Sequence, residues 1–218
     1  RTALVFNDAR FTFDQLQIRV NQLADSLASI GIGQGDRIAV MQVNSHRIIE
    51  IYFAAAQLDA IFVPINFRAR SEELEQMLRI AEPKILFLGD RYVSLVTNAE
   101  ENITQAPIVV MDNPASDVGL IYEELVSRGN PEPTHFPESA DTDTTVIMFT
   151  AGTTGTPKGV MLTHDSFSSY ILSTVTPADP EVYETNLITV PFYHIAGLQA
   201  ALSAIFGGRT LAIMQQFD

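Results

Sequence analysis

A run rich in glycine and threonine contains the residues best suited to chemistry, and it reads TAGTTGTPKG over residues 150–159. Glycine lets a backbone turn sharply and lets a ligand approach closely, and successive backbone N–H groups in such a turn can bind an anion. The threonine hydroxyls add further donors, and Lys158 adds one mobile positive charge suited to phosphate. The run therefore predicts a polyphosphate-binding loop, and the alternative is a flexible polar turn without a ligand.

Other common catalytic and binding sites fit the sequence poorly. A P-loop requires G-x-x-x-x-G-K-[ST], but Pro157 stands at the second glycine position and Gly159 follows the lysine. The chain has no cysteine, which excludes disulfides, thiolate metal sites and a cysteine nucleophile. His46 and His135 have no companions at the spacing of zinc ligands. We also find no pair of carboxylates that can be assigned as general acid and base.

The composition indicates an acidic globular chain. Its 218 residues are 46% hydrophobic, and 13 Lys and Arg against 26 Asp and Glu give a net charge of −13. Such a surface disfavours nucleic acid, because phosphate binding needs clustered basic residues. No apolar stretch reaches the roughly 20 residues of a membrane span. We therefore expect a cytoplasmic protein without a nucleic-acid partner or transmembrane segment, and the composition leaves homo-oligomer formation open.

Strands and helices alternate over residues 1–111. Apolar residues at steps of four and three predict a helix that ends at Gly31, and Thr12 with Gln15 has the spacing of a capping box. Asn44 or Ser45 is expected to cap a second helix, and a third helix opens near Ser71. Apolar runs predict strands over residues 37–43, 61–65, 84–88 and 108–111. Strands separated by helices are typical of βαβ units, so we predict an α/β fold with largely parallel sheets flanked by helices.

Residues 112–143 interrupt this alternation. They contain four prolines and eight acidic residues against Arg128 alone, which predicts a solvated connection with a short helical piece around residues 121–126. The alternation resumes over residues 144–218. There we expect a strand, the glycine-rich loop and a helix from about Thr163. A strand over residues 187–190, a helix over 194–206 and a strand over 210–214 are expected to follow. The chain thus divides into a first α/β block (1–111), an acidic connection (112–143) and a phosphate-loop block (144–218).

Two motifs carry a resemblance to a known family. Residues 148–164, MFTAGTTGTPKGVMLTH, resemble the signature phosphate loop of the adenylate-forming superfamily, which includes acyl-CoA synthetases, peptide-synthetase adenylation domains and firefly-type luciferases. Residues 191–198, PFYHIAGL, are similar to the next family motif, an aromatic–histidine turn beside the acyl pocket. The commonest family loop has serine in place of Ala151, and this change removes one hydroxyl but no backbone donor.

The resemblance implies a reaction and a set of site residues. A substrate carboxylate attacks the α-phosphorus of ATP with the help of Mg²⁺, and the acyl-adenylate then passes to CoA. Lys158 is implied to contact the β- and γ-phosphates. His194 is implied to orient the carboxylate, with a structural, partly buried histidine as the alternative. The rest of the implied phosphate cradle consists of Thr150, Ala151, Gly152, Thr153, Thr154, Gly155 and Thr156.

The resemblance also implies that the chain is an incomplete N-terminal domain of an adenylate-forming enzyme. The family's Mg²⁺-binding glutamate, its ribose-binding aspartate and its C-terminal lid domain are not found before Asp218. Within the family, the chain most resembles acyl-CoA synthetases, which implies a fatty or other apolar acyl or aryl acid as substrate. The alternatives are an acyl-AMP ligase or peptide-synthetase domain that loads a carrier protein, and a non-catalytic nucleotide-binding or interaction domain. Residues 1–218 alone are expected to be inactive.

Overall fold

The computed structural model describes residues 1–98, 103–112, 117–150, 156–179, 181 and 183–216. The strands in this part of the chain are β1 (Thr2–Phe6), β2 (Ala9–Thr12), β3 (Arg37–Met41), β4 (Ile61–Pro64), β5 (Ile85–Leu88), β6 (Ile108–Val110), β7 (Leu120–Ile121), β8 (Thr144–Thr150), β9 (Lys158–Thr163), β10 (Thr185–Ile188) and β11 (Thr210–Ile213). The helices are α1 (Phe13–Ser29), α2 (His46–Gln57), α3 (Ser71–Ala81), α4 (Asp90–Thr97), α5 (Tyr122–Arg128), α6 (His164–Thr174) and α7 (Ile195–Phe206).

A seven-stranded sheet forms the larger layer, with the strand order β7-β6-β5-β3-β4-β8-β9. Its neighbouring strands are parallel except for the pair β8 and β9. The predicted α/β class with largely parallel strands is therefore confirmed. Because β4 and β5 lie on opposite sides of β3, the strand order reverses there, and most of the carboxyl ends share one edge of the sheet.

A smaller sheet joins distant parts of the chain in the order β10-β11-β1-β2. β1 is antiparallel to β2 and parallel to β11, with Leu4 opposite Leu211. The sequence pattern did not indicate β1, whose pairing partner on one side lies near the other end of the chain. Both the first block and the phosphate-loop block contribute strands to each sheet, so the two blocks are interleaved.

The helices bury apolar faces against these sheets. α1 begins where the sequence predicts, since the Thr12 hydroxyl accepts a hydrogen bond from the Gln15 N–H (3.1 Å) and the Gln15 side chain accepts one from the Thr12 N–H (2.9 Å). Gly31 follows the helix with a φ of +90°, which a side chain would disfavour. None of the helices in the described residues has the length and apolar character that a membrane span requires.

The middle of the acidic connection differs from its predicted solvated state. The short helix is present as α5, but β7 extends the seven-stranded sheet and Tyr122 is fully buried. The Tyr122 hydroxyl donates a 2.7 Å hydrogen bond to the carboxylate of Glu50 in α2. Burial of an aromatic ring and this long-range bond outweigh the local acidic composition. Residues 130–143 of the connection are mostly exposed, and so are Asp112 and residues 117–119.

Candidate functional site

The predicted phosphate loop connects the two strands of a hairpin. β8 and β9 are antiparallel, and Thr150 at the end of β8 lies opposite Lys158 at the start of β9. β9 was not predicted from the sequence, which indicated a helix as the next element. That helix is present as α6 and begins as predicted, because the Thr163 hydroxyl caps it by accepting a 3.2 Å bond from the Ser166 N–H. The hairpin fixes both ends of the loop.

The two ends of the loop expose polar side chains. Thr150, Thr156 and Lys158 are exposed, whereas Pro157 between them is buried and anchors the end of the loop. Among the residues that the structure describes, Lys158 makes no ion pair. Five residues of the predicted cradle lie outside the described residues, namely Ala151, Gly152, Thr153, Thr154 and Gly155.

The described ends of the loop lie at the edge of the sheet where ligands usually bind. In open α/β sheets, ligands bind outside the carboxyl ends of parallel strands. β3, β4 and β8 are neighbours in that order, and they are followed by Asn44, Asn66 and the loop after Thr150. Because neighbouring strands lie about 4.8 Å apart, the end of β3 lies on the order of 10 Å from the end of β8.

His194 begins α7, the helix predicted over residues 194–206. Its backbone carbonyl accepts hydrogen bonds from the N–H groups of Gly197 (3.0 Å) and Leu198 (3.1 Å). The side chain is exposed, which differs from the alternative interpretation as a partly buried structural histidine. Its role toward a substrate carboxylate stays a prediction.

Aromatic rings attach the His194 turn to the seven-stranded sheet. The Tyr193 ring lies 4.3 Å from the His194 ring, measured between centroids, and it packs edge-on against Phe67 at 5.2 Å. Phe67 follows β4 and is buried. Phe149 of β8 packs against the same apolar cluster as Tyr193. The turn and the hairpin therefore meet one shared cluster beneath the carboxyl edge.

Asn44 lies at the carboxyl edge, and the sequence predicted it only as a possible helix cap. Ser45 occupies the cap position of α2, and its side chain makes no capping bond. The Asn44 side chain instead bonds to the backbone at Val190, Phe192 and Met214. No local pattern could indicate these partners, since the nearest lies 146 residues away.

Gly197 allows α7 to approach the preceding turn. A Cβ atom at this position would overlap the backbone carbonyl oxygen of Pro191. That carbonyl also accepts a 3.1 Å hydrogen bond from the His194 N–H. The glycine of the PFYHIAGL motif thus has a steric reason here, since it lets the first turn of α7 pack directly on the turn that carries His194.

The charged groups beneath this edge have partners on the same chain. Arg19 donates two hydrogen bonds to the buried Glu50 carboxylate, at 2.7 and 3.0 Å. Burial raises the pKa of Glu50, and the bonds from Arg19 and Tyr122 oppose that rise. His46 packs between Phe6 and Phe11. Burial and the neighbouring arginines lower the pKa of His46 to about 3, so its ring is neutral at pH 7.

The described residues offer no ready metal site. Nowhere among them do three or more His, Asp or Glu side chains come together closely enough to hold a metal ion. Glu50 accepts internal hydrogen bonds, and the neutral His46 packs against aromatic rings. The described residues therefore do not by themselves form a Mg²⁺ site, and we derive no step through the metal.

Comparison with known proteins finds similar sequences over the whole chain. A family model described as AMP-binding enzyme matches residues 1–218. The chain is 33% identical over 211 residues to long-chain-fatty-acid–CoA ligase FadD13 of Mycobacterium tuberculosis (strain CDC 1551 / Oshkosh), covering 97% of this chain and 41% of the relative. It is 27% identical over 219 residues to indoleacetate–CoA ligase of Aromatoleum aromaticum (strain DSM 19018 / LMG 30748 / EbN1), covering 100% and 43%.

A solved structure shares the fold. The inhibitor-bound N-terminal domain of FACL13 from Mycobacterium tuberculosis matches with a TM-score of 0.86 and 28% identity, over 100% of this chain and 54% of that domain. The chain therefore spans less than half the length of the two curated relatives above. It corresponds to the N-terminal portion of longer proteins.

Proposed function

We propose a function from the family to which the chain belongs, the AMP-binding enzymes. In this proposal the chain is the N-terminal part of a ligase that activates a carboxylic acid with ATP and transfers the acyl group to CoA. The observation that carries the proposal is the β8–β9 hairpin, which holds the exposed Lys158 at the carboxyl edge of a parallel sheet. The relatives named as CoA ligases support a thiol as the acceptor. We assign the enzyme to the cytoplasm, as the composition predicts.

The proposed reaction needs positioning and charge neutralisation more than proton transfer. A carboxylate oxygen of the acid attacks the α-phosphorus of ATP, the bond between that phosphorus and the bridging oxygen breaks, and pyrophosphate leaves with the electron pair. In the second step the CoA thiol, after losing its proton, attacks the acyl carbonyl and AMP leaves. An in-line attack of this kind gains mainly from orientation and from fixed donors at the phosphates.

Each exposed group at the edge has a role in this proposal. Lys158 neutralises charge on the β- and γ-phosphates, and the hydroxyls of Thr150 and Thr156 donate hydrogen bonds to phosphate oxygens. Residues 151–155 supply backbone N–H donors. His194 orients the substrate carboxylate, because it lies exposed at the start of α7 on the same side of the sheet.

The proposed acid is a fatty or other apolar acyl or aryl acid. Its apolar part would lie along α7, whose side chains are almost entirely apolar over Ile195–Phe206. Phe192 is buried and serves the core, so Tyr193 is the aromatic side chain of this turn that is available to a substrate. The named substrates of the relatives, a long-chain fatty acid and indoleacetate, have this apolar character.

Exchange of labelled pyrophosphate into ATP tests the first step. The full-length protein is assayed with fatty, aryl and short polar acids, and we expect exchange that depends on an apolar acid. A protein that binds ATP yet supports no exchange with any acid would contradict the proposal.

Adding CoA or a phosphopantetheinylated carrier protein then identifies the acceptor, and we expect CoA to be consumed. Residues 1–218 alone should support no exchange.

A further inference from the structure

We infer that Asn44 is a positioning residue for acid activation, because its side-chain amide fixes the turn that carries Tyr193 and His194. This inference rests on the proposed function of the carboxyl edge. It concerns a residue outside both sequence motifs. Asn44 follows β3 and only 2% of its surface is exposed, so it acts through the turn and not by contact with substrate.

The Asn44 amide joins backbone groups from two places. Its Nδ2 donates to the carbonyl oxygens of Val190 (3.0 Å) and Met214 (3.3 Å), and its Oδ1 accepts from the N–H of Phe192 (2.9 Å). A carboxamide has two donor hydrogens and an acceptor oxygen. Both hydrogens and the oxygen are therefore used, and no other side chain of this size offers the same combination.

These bonds connect the two sheets at their carboxyl ends. Asn44 follows β3 of the seven-stranded sheet, whereas Val190 and Met214 follow β10 and β11 of the four-stranded sheet. The backbone adds to the connection, since the Asn44 N–H donates to the Gln215 carbonyl oxygen at 3.1 Å. Asn44 thus fixes where the end of one sheet lies relative to the end of the other.

His194 lies only two residues after Phe192, whose N–H binds the Asn44 side chain. Asn44 binds the chain on both sides of Pro191, whose ring restricts its own φ. The Pro191 carbonyl oxygen accepts the His194 N–H at 3.1 Å, and Gly197 packs against it. A shift of the turn at Phe192 must therefore move the start of α7 and the exposed His194 ring with it.

A second buried asparagine provides a matched control. Asn21 in α1 is 4% exposed, and its Nδ2 donates to the carbonyl oxygen of Pro131 at 2.8 Å. Its Oδ1 accepts bonds from Gln17 (2.8 Å) and Gln57 (3.0 Å). Asn21 therefore attaches a distant backbone segment just as Asn44 does, but that segment belongs to the acidic connection.

The test compares Asn44→Ser with Asn21→Ser in the full-length protein. Serine removes the amide without adding charge, and it retains a hydroxyl that limits the disruption. We expect Asn44→Ser to lower kcat/KM for the acid in pyrophosphate exchange by about 10- to 100-fold, as misplacement of a positioned group does. The KM for ATP should change less than threefold. Asn21→Ser should leave both parameters within twofold of the parent.

Histidine NMR supplies a readout that does not depend on activity. Ring-¹³C-labelled histidine is observed in the full-length protein, and the His194 signal is assigned by its loss in His194→Gln. Asn44→Ser should shift the His194 signal, whereas Asn21→Ser should leave it in place. Asn44→Ala removes the amide without burying a charge, and it serves as the second variant if the serine variant does not fold.

The outcomes separate this inference from the proposed function. If the parent protein shows no exchange with any acid, the proposed function fails, while the His194 signal still tests the positioning. An unchanged His194 signal in a folded Asn44 variant would overturn the inference. Equal losses of kcat/KM in the two serine variants would also overturn it, because they would indicate a general loss of structure.

Discussion

The amino edge and the carboxyl edge of the seven-stranded sheet each contain one of the chain's two lysines. Lys84 precedes β5 at the amino edge, and its ammonium donates to the Gly31 carbonyl oxygen (2.6 Å) and the Asp36 carboxylate (2.7 Å). Lys158 lies at the carboxyl edge, is exposed, and makes no ion pair among the described residues. The same side chain therefore has an internal structural use at one edge and is available to a ligand at the other.

Several other polar groups follow the same division, although Asn44 at the carboxyl edge has internal partners. At the amino edge, the Asp36 carboxylate also accepts the Gly33 N–H (2.9 Å), and Arg37 donates to the Glu82 carbonyl oxygen (2.8 Å). At the carboxyl edge, Thr150 and His194 are exposed. The comparison teaches that internal partners, and not residue type, distinguish a structural lysine from a candidate ligand-binding one.

Replacing Lys158 should produce the largest effect. We expect Lys158→Met to lower the rate of acid-dependent pyrophosphate exchange by roughly 10²- to 10³-fold, about 3 kcal/mol, because a fixed positive charge at the phosphates is lost. The free energy of unfolding, measured by urea titration, should change by less than about 0.5 kcal/mol, as for most exposed positions. Loss of stability without loss of exchange would reverse the assignment of the two edges.

The two ends of β8 test the comparison within one strand. Thr150→Val removes a hydroxyl at the carboxyl end and keeps the shape of the side chain. We expect kcat/KM for ATP in the exchange assay to fall about tenfold, which is the value of one hydrogen bond to a charged group. Thr144→Val at the amino end of β8 is the matched control and should leave exchange unchanged. Similar losses in both variants would indicate a strand effect instead.

Replacing Lys84 should produce the smallest effect, and on stability alone. Lys84→Met removes an ion pair whose partners are partly exposed and a bond to the carbonyl of Gly31. Such a pair contributes little, so we expect the free energy of unfolding to fall by about 1 kcal/mol. The exchange rate per folded molecule should equal that of the parent. A large loss of exchange would show that the amino edge also affects the site.

The elements that the sequence predicts correctly are those with a local signal. The start of α1 follows from Thr12 and Gln15, three residues apart, and the parallel strands follow from apolar runs separated by helices. The missed features depend on distant partners. Tyr122 of α5 is buried and donates a hydrogen bond to Glu50, 72 residues away, and Asn44 bonds to residues 146 to 170 positions away. Periodicity contains no information about such contacts.

The candidate site, like the fold, is predicted from the sequence only where the signal is local. The glycine and threonine run identifies the loop, and the structure places its ends in a hairpin at the carboxyl edge. The functions of Lys158, His194 and residues 150–156 stay predictions, because binding depends on ligand contacts. Asn44 shows what a motif omits, since the buried amide that supports the His194 turn belongs to neither recognised run.

The pairing of β1 with β11 has a consequence for synthesis on the ribosome. Leu4 lies opposite Leu211, so β1 cannot pair with β11 until about 200 further residues have been translated. At 5–20 residues per second, that delay is roughly 10–40 s. The seven-stranded sheet needs nothing beyond Thr163 and can assemble first. During the delay the edge of β1 that later pairs with β11 has no partner, and an unpaired strand edge can pair with other chains.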